Sequence, residues 1–204
     1  DWFSVDLKTE FAKLHGLPDM MHVCTATGSS SIINILGEVF LNPGDEVILG
    51  DPSYEAFRDT VNVAGATPVM VPLDSEMKYD LDAMLAAITP KTKMVVVVNP
   101  NNPTGTYVDS SKVEAFVKAV PEHVLCVIDE AYLEFVSKPD TYSMIKLIKE
   151  GYEKPLLVLK TFSKAYGMAG LRIGVAAGNP DLISFLGKSG AAWNINFLGQ
   201  RMAA

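Results

Sequence analysis

Along its 204 residues this sequence changes hydrophobic period again and again, from helix spacing to short apolar runs and back. Ser4–His15 carries Leu7, Phe11 and Leu14 at helical spacing, and the strand-like run Met21–Thr25 follows. Ser29–Phe40 reads as a helix with Ile32, Ile33, Leu36 and Phe40 on one face, and Asn42-Pro43-Gly44-Asp45 turns the chain into the strand Glu46–Leu49. A helix follows Pro52 to about Val63, Gly65 ends it, and Ala66–Val71 is the next strand. Asp80 stands where an N-cap for Leu81–Ile88 is needed, and Lys93–Val98 is the cleanest buried strand. Beyond it come a helix (Ser110–Val120), a strand (Val124–Ile128), a helix (Tyr142–Glu150), the strands Leu156–Leu159 and Ile173–Ala176, and a short helix, Asp181–Leu186. Such alternation predicts an α/β fold, a three-layer sandwich whose mainly parallel sheet is covered on both faces. Ligands in that architecture bind beyond the carboxyl ends of the strands. The polar clusters that close the apolar runs are therefore where chemistry is to be sought.

Composition narrows the classes. Apolar residues make up 49% and charged residues 20%, enough to build a buried core and too ordered a mixture for a disordered chain. Unbroken apolar runs such as Met94–Val98 are too short to cross a bilayer, so no membrane partner is expected. The net charge of −7, with no Lys/Arg cluster, argues against nucleic acid. Cys24 and Cys126 each lie in a strand-like run and read as buried free thiols. With no signal peptide visible, a cytoplasmic location is expected. His15, His22 and His123 are scattered without ligands at metal spacing, so no metal site is expected. Met20, Met21, Met70, Met94 and Met168 read as core filler.

Four clusters carry chemistry. Thr27-Gly28-Ser29-Ser30 joins a strand to a helix, and its backbone N–H groups, hydroxyls and helix dipole suit a phosphate, although taken alone an ordinary serine N-cap is the plainer explanation. Asn99-Pro100-Asn101-Asn102-Pro103-Thr104-Gly105 follows the best strand, either as a stiff turn or as a rigid mount for an amide. Asp129-Glu130-Ala131-Tyr132 puts an acid at the end of an apolar strand, where it caps a helix or meets a positive partner. Thr161 to Arg172 gathers hydroxyls, two glycines, an arginine and Lys164. Lys164 is either a solvated surface group or a desolvated amine able to attack a carbonyl.

These clusters in this order, NPNNPTG, DEAY and SKAYGMAGLR above all, resemble the fold-type-I pyridoxal-phosphate (PLP) aminotransferases. Within the aspartate aminotransferase superfamily they are similar to the histidinol-phosphate aminotransferase-like branch, from the opening helix to about Asn196. The resemblance implies the large PLP-binding domain of that fold and catalytic roles for Lys164, Asp129 and Tyr132. Lys164 would hold PLP as a Schiff base and shuttle a proton. Asp129 would pair with the ring nitrogen, Tyr132 and Asn102 with the phenolic oxygen, and Tyr54 would stack on the ring. Gly28, Ser29, Ser30, Thr161, Ser163 and Arg172 would hold the phosphate. It implies amino transfer between an L-amino acid or amino-phosphate and a 2-oxo acid in amino-acid biosynthesis, histidine biosynthesis included, by a cytoplasmic homodimer.

Family members also carry an N-terminal arm and a small domain whose arginine grips the substrate carboxylate. Residues 1–204 supply neither, so they are expected to be the PLP-binding domain of a longer chain, with Arg201 no convincing substitute. Trp193–Asn196 falls where the family chain reaches the mouth of the site. A PLP-dependent decarboxylase or lyase, a non-catalytic PLP-binding domain of a regulator, and a plain nucleotide-binding domain are the competing readings.

Overall fold

A computed structural model describes residues 4–138, 140–189 and 195–204. Helix α1 (Val5–His15) buries Leu7, Phe11 and Ala12, while Leu14, expected on the same stripe, is exposed. It stops where Gly16 takes a left-handed φ of 67°, letting Gly16 N–H donate to the Lys13 carbonyl and Leu17 N–H to that of Ala12. Next come β1 (Val23–Thr27), α2 (Ser29–Phe40), β2 (Glu46–Asp51), α3 (Glu55–Val63), β3 (Thr67–Pro72) and α4 (Leu81–Ala86). The chain continues through β4 (Thr92–Val98), α5 (Ser110–Ala119), β5 (Leu125–Asp129), α6 (Ile145–Lys149) and β6 (Leu156–Thr161). It ends with β7 (Ile173–Gly178), α7 (Pro180–Ser189) and α8 (Phe197–Ala203).

The strands form one sheet in the order β1-β7-β6-β5-β4-β2-β3. β3, β2, β4, β5 and β6 run parallel, whereas β7 is antiparallel to both β6 and β1. β5, β6 and β7 are buried along their whole length, so helices cover both faces, as the alternation predicts. Asp80 caps α4 as expected, its Oδ1 accepting from Ala83 N–H. Cys24 and Cys126 are buried and free. Among the described residues no helix is long and apolar enough to cross a membrane.

Three expectations need correction. Met21 and His22 belong to a 3-10 turn, Met20–His22, because Asp19 Oδ1 accepts from Met21 N–H, and β1 starts only at Val23. Met21 is therefore exposed rather than core filler. The helix expected over Tyr142–Glu150 shortens to Ile145–Lys149, since Ser110 Oγ engages the backbone of Tyr142 and Glu130 that of Met144, drawing them out of helical bonding. The closing segment, left unassigned by periodicity, contains α8, capped by Asn196 Oδ1 accepting from Gly199 N–H.

Candidate active site

Five strands that run the same way (β1, β2, β4, β5 and β6) and the reversed β7 bring the polar clusters together at the carboxyl ends of the five. β1 ends at Thr27, and Gly28, with φ 84°, is the N-cap of α2. The serine-cap alternative is thereby set aside: Ser29 and Ser30 are already in the first helical turn, half-buried. Ser30 Oγ lies 3.4 Å from Tyr54 Oη. Behind the turn, β7 passes so closely that a Cβ on Gly174 would lie 2.2 Å from Ser29 N. A Cβ on Gly28 would lie 2.5 Å from Arg172 Nη2, so the guanidinium crosses directly over Gly28. Arg172 holds a left-handed φ of 57° and its Nη1 donates to the Ala169 carbonyl at 3.0 Å. Because β7 runs backwards, a residue preceding that strand sits beside residues that follow the others.

β5 ends on Asp129, only 2% exposed, whose Oδ1 accepts from Ala131 N–H at 3.0 Å. The bond closes a turn and caps no regular helix. Burial pushes the Asp129 carboxyl up to about 6, an effect that the Ala131 N–H only partly offsets and Glu130 reinforces. Lys160 and Lys164 pull in the opposite direction. Lys164 follows β6 in a turn where Gly167 N–H donates to its carbonyl and Met168 N–H to that of Phe162. Its Nζ lies 5.3 Å from the centroid of the Tyr132 ring. The side chain is exposed, so the desolvation expected for this lysine is not supplied by the chain's own packing.

The 99–105 loop is the stiff turn its composition predicts. Asn99 Nδ2 and Oδ1 bracket the backbone of Val108 at 2.8 Å each, and Gly105 N–H donates to the Asn101 carbonyl at φ 70°. Of its amides, that of Asn102 reaches the cavity. Thr161, buried at the end of β6, turns its hydroxyl to the Ile173 carbonyl at 3.3 Å and accepts from Ser163 N–H at 3.2 Å.

These residues enclose a cavity of about 260 Å³ lined by Ser29, Ser30, Tyr54, Asn102, Asp129, Tyr132, Thr161, Ser163, Lys164 and Arg172. Every residue singled out in the sequence lines it except Gly28, which lies beneath the Arg172 guanidinium. Val98, Ala131 and Ala169 also line it, and carry no chemical signal of their own. A larger hollow of about 670 Å³ between α4 and α5 contains none of these groups, so size does not select the site. One end of the smaller cavity offers the α2 N-terminus, hydroxyls and a guanidinium to an anion. The other offers a buried carboxylate, and an amine stands near Tyr132.

The sequence reading missed a buried ion cluster beside the site. Lys160, 7% exposed, places Nζ 2.5 Å from Glu134 Oε1 and 3.5 Å from Glu130 Oε2. Glu130, buried and pushed up by desolvation, accepts from Ser143 Oγ at 2.5 Å and Met144 N–H at 2.7 Å. The available signal was a lysine directly after the apolar run Leu156–Leu159, where the strand was expected to stop. His22 also has a partner the sequence reading did not assign, Asp19 Oδ1 at 3.0 Å. Among the described residues no His, Cys, Asp and Glu group could hold a metal. Arg201 pairs with Asp6 at 3.3 Å on the surface. Trp193 and Asn194 lie outside the described residues, and Ile195 is buried against Leu7 and Ile173.

The family model described as aminotransferase class I and II matches residues 1–204. Over 198 residues the chain is 44% identical to an aromatic amino acid aminotransferase of Mycobacteroides abscessus, covering 97% of this chain and 56% of that protein. A relative with the same description from Mycobacterium bovis is 43% identical, with 98% and 56% covered. The crystal structure of histidinol-phosphate aminotransferase from Sinorhizobium meliloti, in complex with pyridoxal-5'-phosphate, superposes with a TM-score of 0.92 at 29% identity, covering all of this chain and 54% of that one. The chain thus spans about half the length of the curated relatives it matches.

Proposed function

The chain belongs to the class I and II aminotransferases, and on that footing we propose that residues 1–204 are the PLP-binding domain of an enzyme moving an amino group between an L-amino acid and a 2-oxo acid. The observation that carries this reading is a buried carboxylate, Asp129, sharing one cavity with an accessible lysine, Lys164, and with an anion-binding end at Arg172. A carboxylate buried to 2% calls for a positive group facing it. A protonated pyridine nitrogen is such a group, a phosphate suits the Arg172 end, and an aldehyde suits the lysine. The cavity's three chemistries thus fit the ring nitrogen, phosphate and aldehyde of PLP.

When bound, PLP supplies a carbonyl carbon for amines and a ring that accepts electrons. Around it, the chain's residues divide the work. Asp129 holds the proton on the ring nitrogen. Lys164 would hold the cofactor through Nζ and would serve there as the general acid/base that moves a proton. Tyr132 Oη and Asn102 Nδ2 donate to the phenolic oxygen. The Tyr54 ring, which lines the cavity, would stack on the pyridine, orient it and exclude water. The backbone N–H groups of Ser29 and Ser30, the Ser163 hydroxyl and the Arg172 guanidinium would hold the phosphate, whereas Gly28 N–H is spent on the Ala26 carbonyl at 2.7 Å and Thr161 would have to turn its hydroxyl away from the Ile173 carbonyl to join them.

The relatives at 43–44% identity favour an aromatic amino acid as donor over an amino-phosphate of the histidinol-phosphate kind. The enzyme works as a cytoplasmic homodimer, in which the small domain supplies the grip on the substrate carboxylate. The decisive experiment is the visible spectrum of the chain with PLP, followed by borohydride reduction and peptide mapping. A pyridoxyl group on Lys164 is the expected result. No visible band, or a label elsewhere, overturns the reading.

A further inference from the structure

β2 and β4 lie side by side only as far as Ile48 and Val95; beyond that point β2 keeps pairing with β3 up to Asp51 and Pro72 while the gap to β4 opens. Tyr79, which precedes α4 and is 5% exposed, fills that gap. Its ring lies against Gly50, where a Cβ would come within 2.4 Å of Tyr79 Cε1, so β2 must carry glycine there for the ring to enter. The phenol oxygen accepts from Val98 N–H at 3.2 Å, a strand amide on the side of β4 that β2 has left. Burial pushes this phenol up to about 12, so it keeps its proton.

That proton has one place to go. Tyr79 Oη lies 2.5 Å from Ser53 Oγ, and Ser53 in turn donates to Asn101 Oδ1 at 2.9 Å. With its oxygen so used, the Asn101 amide presents Nδ2 to the Pro52 carbonyl at 3.0 Å and to Thr104 Oγ1 at 2.8 Å. Thr104 passes its proton to Thr106 Oγ1 at 2.7 Å, and Thr106 donates to the Met77 carbonyl at 2.5 Å. Donors and acceptors therefore run in one direction from β4 through the 51–54 turn and the 99–105 loop to the segment before Tyr79. Such a chain is rigid because no hydroxyl has an alternative orientation.

Ser53 and Asn101 are each one residue before a residue that lines the cavity, Tyr54 and Asn102. We propose that Tyr79 is a positioning residue of the PLP site, its hydroxyl tying the 51–54 turn to the 99–105 loop through Ser53 and Asn101, and so setting the span between the Tyr54 ring and the Asn102 amide. This rests on the reading of the cavity as a PLP site. The groups that touch the cofactor are placed by a residue that does not.

The test compares Tyr79→Phe and Ser53→Ala with the parent chain, and with Val113→Ala on α5 as a control for general destabilisation. Tyr79→Phe keeps the ring in the gap, and Ser53→Ala cuts the relay while leaving Val98 N–H its acceptor. Titration with PLP is expected to show affinity lower by about tenfold in both variants, the size of losing one partner of a buried hydrogen bond. The pH at which the visible band of bound PLP converts is expected to move in both and to stay in place in Val113→Ala. Unchanged affinity and band in the two relay variants, or equal changes in the control, overturn the proposal. A parent chain that develops no visible band defeats the functional reading instead. The relay is then judged on the cofactor-free chain by the Tyr54 ring and Asn102 side-chain amide resonances, which must shift in Tyr79→Phe; if they stay put, the relay does not position them.

Discussion

Asp129 and His15 titrate over the same range and in opposite senses. Burial raises the Asp129 carboxyl from 3.8 to about 6, so its folded form holds a proton more tightly than the unfolded chain does. The stability it contributes is full below about pH 4 and is lost as pH rises through about 6. Burial, helped by Lys160, lowers His15 from 6.5 to about 4, so its contribution is present above 6.5 and is lost as pH falls through about 4. The two largely mask each other in the parent chain without cofactor. In Asp129→Asn its share of the acid-side gain is expected to vanish, so that between about pH 4 and 6.5 stability rises more, or falls less, with pH than in the parent chain, as urea midpoints across that range would record. The same substitution is expected to leave PLP attached at Lys164 while amino transfer in the full-length enzyme falls by on the order of a hundredfold or more, the scale of losing a preorganised electrostatic partner. Normal turnover in Asp129→Asn would disprove its role. Gly28→Ala meets both a left-handed φ of 84° and the Arg172 guanidinium. Weaker binding of PLP is expected than of pyridoxal, which has no phosphate to lose, and equal weakening of both would contradict the assignment.

At the level of elements, the ion cluster on β6 and the close pass of β7 carry the strongest expectations. Lys160→Met leaves Glu130 buried without its cation, at a cost of about 3–5 kcal/mol, measurable by equilibrium unfolding. Gly174→Ala sets a methyl against the backbone of Gly28 and Ser29 and is expected to cost about 1–3 kcal/mol while opening the β1–α2 turn. Most elements were legible because their signals are local: the bounds of α2 follow its apolar face, and β4 follows its valines. The short α6 and the 3-10 turn at Met20–His22 were not, because side chains distant in sequence or a local Asp carboxylate redirect the backbone. The residues of the cavity were legible through the resemblance and their strand-end positions. Lys160, Glu130 and Tyr79 were not, since what distinguishes them is a partner brought by the fold.

For the whole molecule, one apolar cluster runs from Phe11 on α1 through every strand to Leu186 on α7. Such continuity predicts a single cooperative unfolding transition. Cys24 on β1 and Cys126 in the middle of the sheet, both thiols pushed up by burial, report on it at two places. Their reactivity toward a thiol reagent is expected to appear at the same urea concentration as the loss of helical circular dichroism. Early release of Cys24 would show instead that β1 detaches on its own. Among the described residues that strand has one neighbour in the sheet, β7, paired from Val23 with Ala177 to Thr27 with Ile173. During synthesis Val23–Thr27 must therefore wait for nearly the whole of the described chain to leave the ribosome before finding its place. The Arg172 side chain arrives over Gly28 in the same late step. On the proposed reading of the cavity, tight cofactor capture would mark completion: a nascent chain that has not yet seated its reversed strand lacks the guanidinium of its anion-binding end.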